Sequence, residues 1–275
     1  MNAEDFRRNS RKSITILGMS GVGKTTISSI LAESGWYHYS CDHRIGTHYL
    51  EQDILENLTQ NFTCDPAVRE LIDSGTIHIE GRITIENLYL LSQFVGKIGN
   101  PEKDGLSFDE FRRRQDLYNK GEIGAVRDVP DFLAATDKHF IHDSSGSLCE
   151  LDEPLIADLA KITDFVYIEA TKEDEKTLLD RAKSYPKPLY YPDQFFRQEL
   201  QNYMDEKRLR YVALIDPDDF CRWVFPKLFY SRIPKYKKIA EKYGATVTSE
   251  EVRHLKSEKD ILDLVLKAIE RKEAA

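Results

Sequence analysis

The chain has 275 residues, with 41% apolar and 31% charged side chains and a formal net charge of −8. That length buries a full core as one α/β domain with insertions, and the composition is ordinary for a soluble globular protein. The acidic balance and the lack of a long basic run count against a broad nucleic-acid footprint, and no stretch of roughly 18 apolar residues is present to span a membrane.

Residues 1–12 read as a polar, frayed tail without the apolar core of a signal peptide. Ser13–Leu17 is a short β-branched run that stops at Gly18, which suits a buried parallel strand. Lys24–Ser34 follows as a helix with Ile27, Ile30 and Leu31 on one face, closed by Gly35. Trp36–Ser40 is a second strand. The region of about 44–138 reads as a mostly helical insertion, punctuated at Asp73–Gly75, Gly99–Pro101 and Val129–Pro130, with a helix over Phe108–Lys120. Further strands are predicted at His139–His142, Phe165–Ala170, Ala213–Ile215 and Ala245–Thr248. Helices are predicted over Thr171–Ala182, Gln194–Lys207, Ile233–Tyr243 and Ser257–Arg271, the last capped by Ser257 with Asp260. The Pro- and Tyr-rich Ser184–Asp193 opens a lid region of about 183–230. Strand–helix alternation implies a parallel sheet with helices on both faces, within a single domain over 13–275.

Cys41, Cys64, Cys149 and Cys221 form no C-x-x-C pair, so neither a zinc site nor a redox motif is indicated; reduced thiols in a cytoplasmic protein are expected. The seven histidines form no zinc-binding pattern.

Gly18-Met19-Ser20-Gly21-Val22-Gly23-Lys24-Thr25 matches G-x-x-x-x-G-K-[ST] between a predicted strand and helix. In that pattern glycines let consecutive N–H groups turn toward phosphate oxygens, and the helix adds its positive end. The expected nucleotide site is therefore Gly18, Ser20, Gly21, Val22, Gly23, Lys24, Thr25 and Thr26. Lys24 reaches the β- and γ-phosphates, and the Thr25 hydroxyl ligates Mg²⁺.

Beyond this loop, the order of motifs resembles the shikimate kinase-like branch of the P-loop small-molecule kinases. The resemblance covers residues 13–45, 139–190 and 230–250. Ser40-Cys41-Asp42 stands where the family carries D-x-D, which implies that Asp42 contacts the acceptor hydroxyl. His139–His142 ending in Asp143 looks like a Walker B strand, whose acid holds Mg²⁺ with Thr25. Asp143-Ser144-Ser145-Gly146-Ser147 stands in place of the family's Gly-rich substrate loop, which points to Gly146. Lys187-Pro188-Leu189-Tyr190 replaces a lid R-P-L-L, with Lys187 keeping the charge but losing the arginine fork. Arg232-Ile233-Pro234-Lys235-Tyr236 is similar to R-x-P-L-Y and implies a substrate contact for Arg232. Arg181 matches an arginine that stacks on adenine in the family, and Phe111-Arg112 matches its Phe-Arg motif. The intervals between Asp42 and Asp143 and between Lys187 and Arg232 are much longer than in shikimate kinase, so the substrate shikimate is not carried over.

These features give an expected function of ATP- and Mg²⁺-dependent phosphoryl transfer to a small, anionic, hydroxylated metabolite, with no membrane or nucleic-acid partner. Lys24, Asp42, Asp143 and Lys187 are the expected catalytic set, and Asp42, Arg112, Gly146 and Arg232 the expected acceptor site. ATP is the expected nucleotide and GTP stays open as the less favoured one: no guanine-specific N-K-x-D is present, Asn119-Lys120-Gly121-Glu122 departing from it at the acid. Plainer roles stay open: Asp42 as a helix cap, Asp143 as a turn residue, Arg112–Arg114 as a solvated helix face, and Arg181 as an exposed helix residue. A P-loop ATPase or nucleotide-dependent switch without an acceptor, and a nucleotide kinase, are the rival functions.

Overall fold

The computed structural model describes residues 2–62, 66–77, 82–85 and 87–274. In chain order the elements are α1 (Ala3–Arg8), β1 (Ser13–Leu17), α2 (Lys24–Glu33), β2 (Tyr37–Ser40), α3 (Cys41–Arg44) running into a π-helix (Ile45–Tyr49), α4 (Glu51–Phe62), α5 (Pro66–Asp73) and α6 (Tyr89–Val95). A two-residue pair, β3 (Lys97–Ile98) and β4 (Gly105–Leu106), precedes α7 (Phe108–Ala134). Then come β5 (Phe140–Asp143), α8 (Glu153–Ala160), β6 (Asp164–Glu169), α9 (Lys172–Ser184), α10 (Asp193–Lys207), α11 (Pro217–Tyr243), β7 (Gly244–Thr248), α12 (Ser249–Arg253) and α13 (Glu258–Glu273).

Five strands form an all-parallel sheet in the order β2-β5-β1-β6-β7. Parallel neighbours need crossover connections, and helices supply them. Strands buried on both faces read as continuous apolar runs, as in Ile14, Ile16 and Leu17 of β1 and Phe165–Ile168 of β6, all nearly inaccessible. Helix α2 sets Ile27 and Leu31 into this core, each burial worth about 1.5–3 kcal/mol. The register pairs Asp143 with Ser40 on one side and Ile16 on the other, so the ends of β1, β2 and β5 meet at the carboxyl edge of the sheet. In open α/β sheets that edge is where ligands bind.

A second apolar cluster lies beyond the sheet. Phe111 of α7, Phe196 and Tyr203 of α10, and Phe220, Val224 and Leu228 of α11 build it around Tyr191 and Ile215.

The structure corrects several expectations. Residues 2–12 are not a frayed tail: Asn2 caps α1, Ala3 and Phe6 are buried, and the Ala3 N–H donates to Glu273 of α13 at 2.8 Å. Val212–Leu214 is a 3₁₀ turn and not a strand. The break expected at Val129–Pro130 does not occur, since α7 runs through Pro130 with Val129 fully buried. Ile233–Tyr243 is only the last part of α11, which includes Pro226 and Pro234. A proline removes one backbone donor from a helix, and long buried faces on both helices override that loss. Cys41, Cys149 and Cys221 are free and buried, as expected; Cys64 lies outside the described residues. Among the described residues no helix is long and apolar enough to cross a membrane.

Candidate functional site

The glycine-rich loop joins β1 to α2 at the carboxyl edge of the sheet. Gly21 and Gly23 sit at φ +90° and +106°, in the left-handed region where a side chain costs energy. Gly23 is the residue before the first turn of α2, so the turn and the helix start depend on it. The Lys24 side chain folds back over the loop and donates to Gly18 O at 2.9 Å and Met19 O at 3.2 Å. It is buried, and burial lowers its pKa against the opposing pull of Asp143 and then Asp42. Thr25 and Thr26 are exposed at the start of α2, in the wall of the same cleft.

That cleft has a volume of about 760 Å³. It begins at the loop and extends between the two apolar clusters, with Met19, Leu91 and Val95 from the first and Leu228 from the second. Asp42, Asp143, Gly146, Lys187 and Arg232 all line it.

Asp42 sits in the first turn of α3, but the cap of that helix is Ser40, whose Oγ accepts from the His43 N–H at 3.3 Å. The capping role left open for Asp42 is therefore taken by its neighbour. The Asp42 carboxylate instead accepts from the Tyr118 hydroxyl at 3.2 Å. Burial raises its pKa; Lys24 lowers it, Asp143 raises it and the Tyr118 bond lowers it. Asp143 is the last residue of β5 and is 6% exposed, with His38 Nε2 at 3.8 Å from its Oδ2.

The segment after β5 is fastened from three directions. Ser144 Oγ donates to Ile16 O at 2.7 Å, tying it to β1. Ser145 and Ser147 both donate to Glu122 Oε1 of α7, the latter at 2.8 Å. Gly146 O accepts from Arg232 Nη1 at 3.0 Å, and a Cβ on Gly146 would lie 3.4 Å from Ser20 N of the glycine-rich loop. Arg232 also donates to Tyr190 O at 2.9 Å and to Glu150 at 3.1 Å, and both side chains of that ion pair are 4% exposed. Arg232 thus borders the cleft while locking α11 to the loop and to the segment bearing Lys187.

Four other predicted residues, Gly18, Val22, Arg112 and Arg181, are not among those lining the cleft. Arg112 is at the surface of α7, ion-paired with Asp193 at 3.1 Å. Arg181 is exposed on α9, where its Nη1 lies 3.7 Å from the Cβ that Gly21 lacks. Val22 turns inward and is 5% exposed. Lys187 is exposed on the segment between α9 and α10.

One helix face escaped sequence reasoning. Gln115, Tyr118 and Glu122 recur on α7 at helical spacing. Gln115 accepts from Tyr191 N at 2.8 Å and donates to Leu189 O at 3.3 Å, gripping the Lys187 segment. Tyr118 holds Asp42 and stacks on Tyr190 with ring centroids 5.3 Å apart. Glu122 holds the loop after β5. The only sequence signal was polar residues at i, i+3 and i+7 in a helix also rich in surface charge. Asn119–Glu122 accordingly lies within α7, with Glu122 buried beneath Ser145 and Ser147, and not in a base-recognition loop.

No protein-family model matches the chain, and no curated protein matches it.

Proposed function

We propose that the chain is a P-loop NTPase-type enzyme that transfers the γ-phosphoryl group of Mg²⁺-ATP to a hydroxyl of a small molecule. The observation that carries this reading is the convergence of Lys24, Thr25, Asp42 and Asp143 on one cleft beside a left-handed glycine turn. Phosphoryl transfer asks mainly for positioning and charge stabilisation, and this arrangement offers both.

The loop amides and the Lys24 ammonium hold the β- and γ-phosphates. Thr25 and Asp143 fit a magnesium ion: both present oxygen donors to the same cleft, and Mg²⁺ keeps water and phosphate for its other ligands. When bound, the ion supplies charge neutralisation at the phosphates. Asp42 accepts the hydrogen bond of the acceptor hydroxyl. The hydroxyl oxygen forms the new bond to the γ-phosphorus, the bond to the β,γ-bridging oxygen breaks, and the hydroxyl proton passes to Asp42. Lys187 offers a cation to the developing charge on the transferred group. The extended cleft beyond the loop favours transfer to an acceptor over plain hydrolysis, because a hydrolase needs room only for water.

The test is a screen of hydroxylated metabolites for acceptor-dependent ADP release, with Lys24→Ala as control. Acceptor-stimulated release lost in the variant supports the proposal. Rapid hydrolysis that no acceptor changes would assign the chain to the ATPase class instead.

A further inference from the structure

The part of the cleft lined from within residues 87–97 and by Leu189, Phe225 and Leu228 has a chemistry of its own. Leu88, Leu91, Val95, Leu189, Phe225 and Leu228 face it from three parts of the chain. Among the described residues its polar complement there is neutral, Asn87, Ser92 and Gln93, apart from Lys97.

The lysines and arginines lining the whole cleft are Lys24, Lys97, Lys187 and Arg232. Lys24 belongs to the phosphate loop. Lys97 is ion-paired with Asp218 at 2.6 Å. Arg232 is held by Glu150 and two backbone carbonyls, and releasing it would strip Glu150 of its buried partner, leaving only Lys235. Lys187 is exposed on the segment assigned above to the transferred phosphoryl group. Arg112 lies outside the cleft, and Arg114 is turned into the protein onto Glu110, Phe94 O and Asn57. The residues outside the description contain no lysine or arginine. Asp42 adds a carboxylate where the acceptor must approach, and Asp143 a second that Mg²⁺ would neutralise. A carboxylate or phosphate here would be desolvated against apolar walls and would face Asp42, and Lys187, among the described residues the one lining cation neither ion-paired nor part of the phosphate loop, is taken by the transferred group.

We propose that this part of the cleft takes an uncharged alcohol with an apolar body, oriented by neutral hydrogen-bonding groups and presenting its hydroxyl to Asp42, in place of an anionic acceptor. This rests on the reading of Gly18–Thr25 as the phosphate site, both for the direction of the hydroxyl and for setting Lys187 aside; the apolar lining itself does not depend on it.

The test uses the full chain and matched pairs of probes that share a body: 1-phenyl-1,2-ethanediol against mandelate, and 2-(hydroxymethyl)cyclohexanol against 2-hydroxycyclohexanecarboxylate. Binding is measured by calorimetry with and without Mg²⁺ and a non-hydrolysable ATP analogue. The neutral member of each pair should bind at least tenfold more tightly, and Phe225→Ala should erase that preference. Equal responses, including none from either member, or tighter binding of the anion, overturn the proposal. Because the comparison is also made without nucleotide, a chain that fails to bind the ATP analogue yet prefers the neutral probes would sink the phosphate-site reading and leave the preference for a neutral body standing.

Discussion

Replacing Glu122 by glutamine tests the buried carboxyl beneath the loop that follows β5. Its side chain is fully inaccessible; Oε1 accepts from Ser145 and Ser147, and Oε2 has no hydrogen-bond partner. Burial pushes the carboxyl up from 4.5 to about 7, against the lowering effect of the two serine hydroxyls. Between those values the folded protein holds a proton that the unfolded chain releases. The contribution to stability is therefore present below the unfolded value and is lost as the pH rises through the folded one. The interval corresponds to about 3 kcal/mol. Glutamine keeps the oxygen acceptor for both serines and cannot ionise. Every other titrating group is shared, so comparing the two proteins isolates this site. Between pH 5 and pH 8.5 the variant should gain roughly 2–3 kcal/mol on the wild type, or about 5–10 °C in melting temperature. Urea and thermal unfolding at both pH values measure this. Parallel pH profiles for the two proteins would refute the reasoning.

Asp42→Ala should abolish phosphoryl transfer while ATP still binds; normal transfer by the variant would remove Asp42 from the mechanism. Tyr118→Phe keeps the ring that stacks on Tyr190 and deletes the donor to Asp42, so turnover should fall roughly 10- to 100-fold, the worth of a hydrogen bond to a charged group, with ATP affinity unchanged. The same deletion removes a bond that lowers the Asp42 pKa, so the acid limb of the pH–rate profile should move to higher pH. Gly244→Ala places a Cβ 2.3 Å from Phe165 O in the neighbouring strand β6 and should cost about 1–3 kcal/mol in denaturant unfolding, or more if the strands part.

The strands of the five-stranded sheet and the glycine-rich loop were legible because they depend on local signals: β-branched runs, a fixed glycine spacing and a lysine at the helix start. Asp143 was legible as the acid that ends a short strand, and Asp42 only through the resemblance of Ser40-Cys41-Asp42 to D-x-D, since it lies past β2 in the first turn of α3. Their meeting was not, because the order β2-β5-β1-β6-β7 is set by crossovers that no local pattern encodes. Helix α1 was missed because Ala3 and Phe6 give it too little periodicity, and its folding depends on α13 at the far end of the chain. Val129–Pro130 reads as a break because local propensity disfavours proline in a helix, whereas a long buried face keeps α7 continuous. Arg112 and Arg114 show the limit of a charge run: one is paired at the surface, the other is buried, and neither lines the cleft. Glu122 was invisible as a buried acid, since its burial comes from Ser145 and Ser147, which approach it from another part of the sequence.

Phosphoryl transfer at this cleft requires that the turn at Gly18–Thr25 grip a triphosphate. Calorimetric titration of the full chain with ATP in excess magnesium, beside Lys24→Ala, addresses this directly. Saturable one-to-one binding that collapses in the variant is the predicted result; heats no different from dilution in the wild type, or equal binding by both proteins, would contradict it.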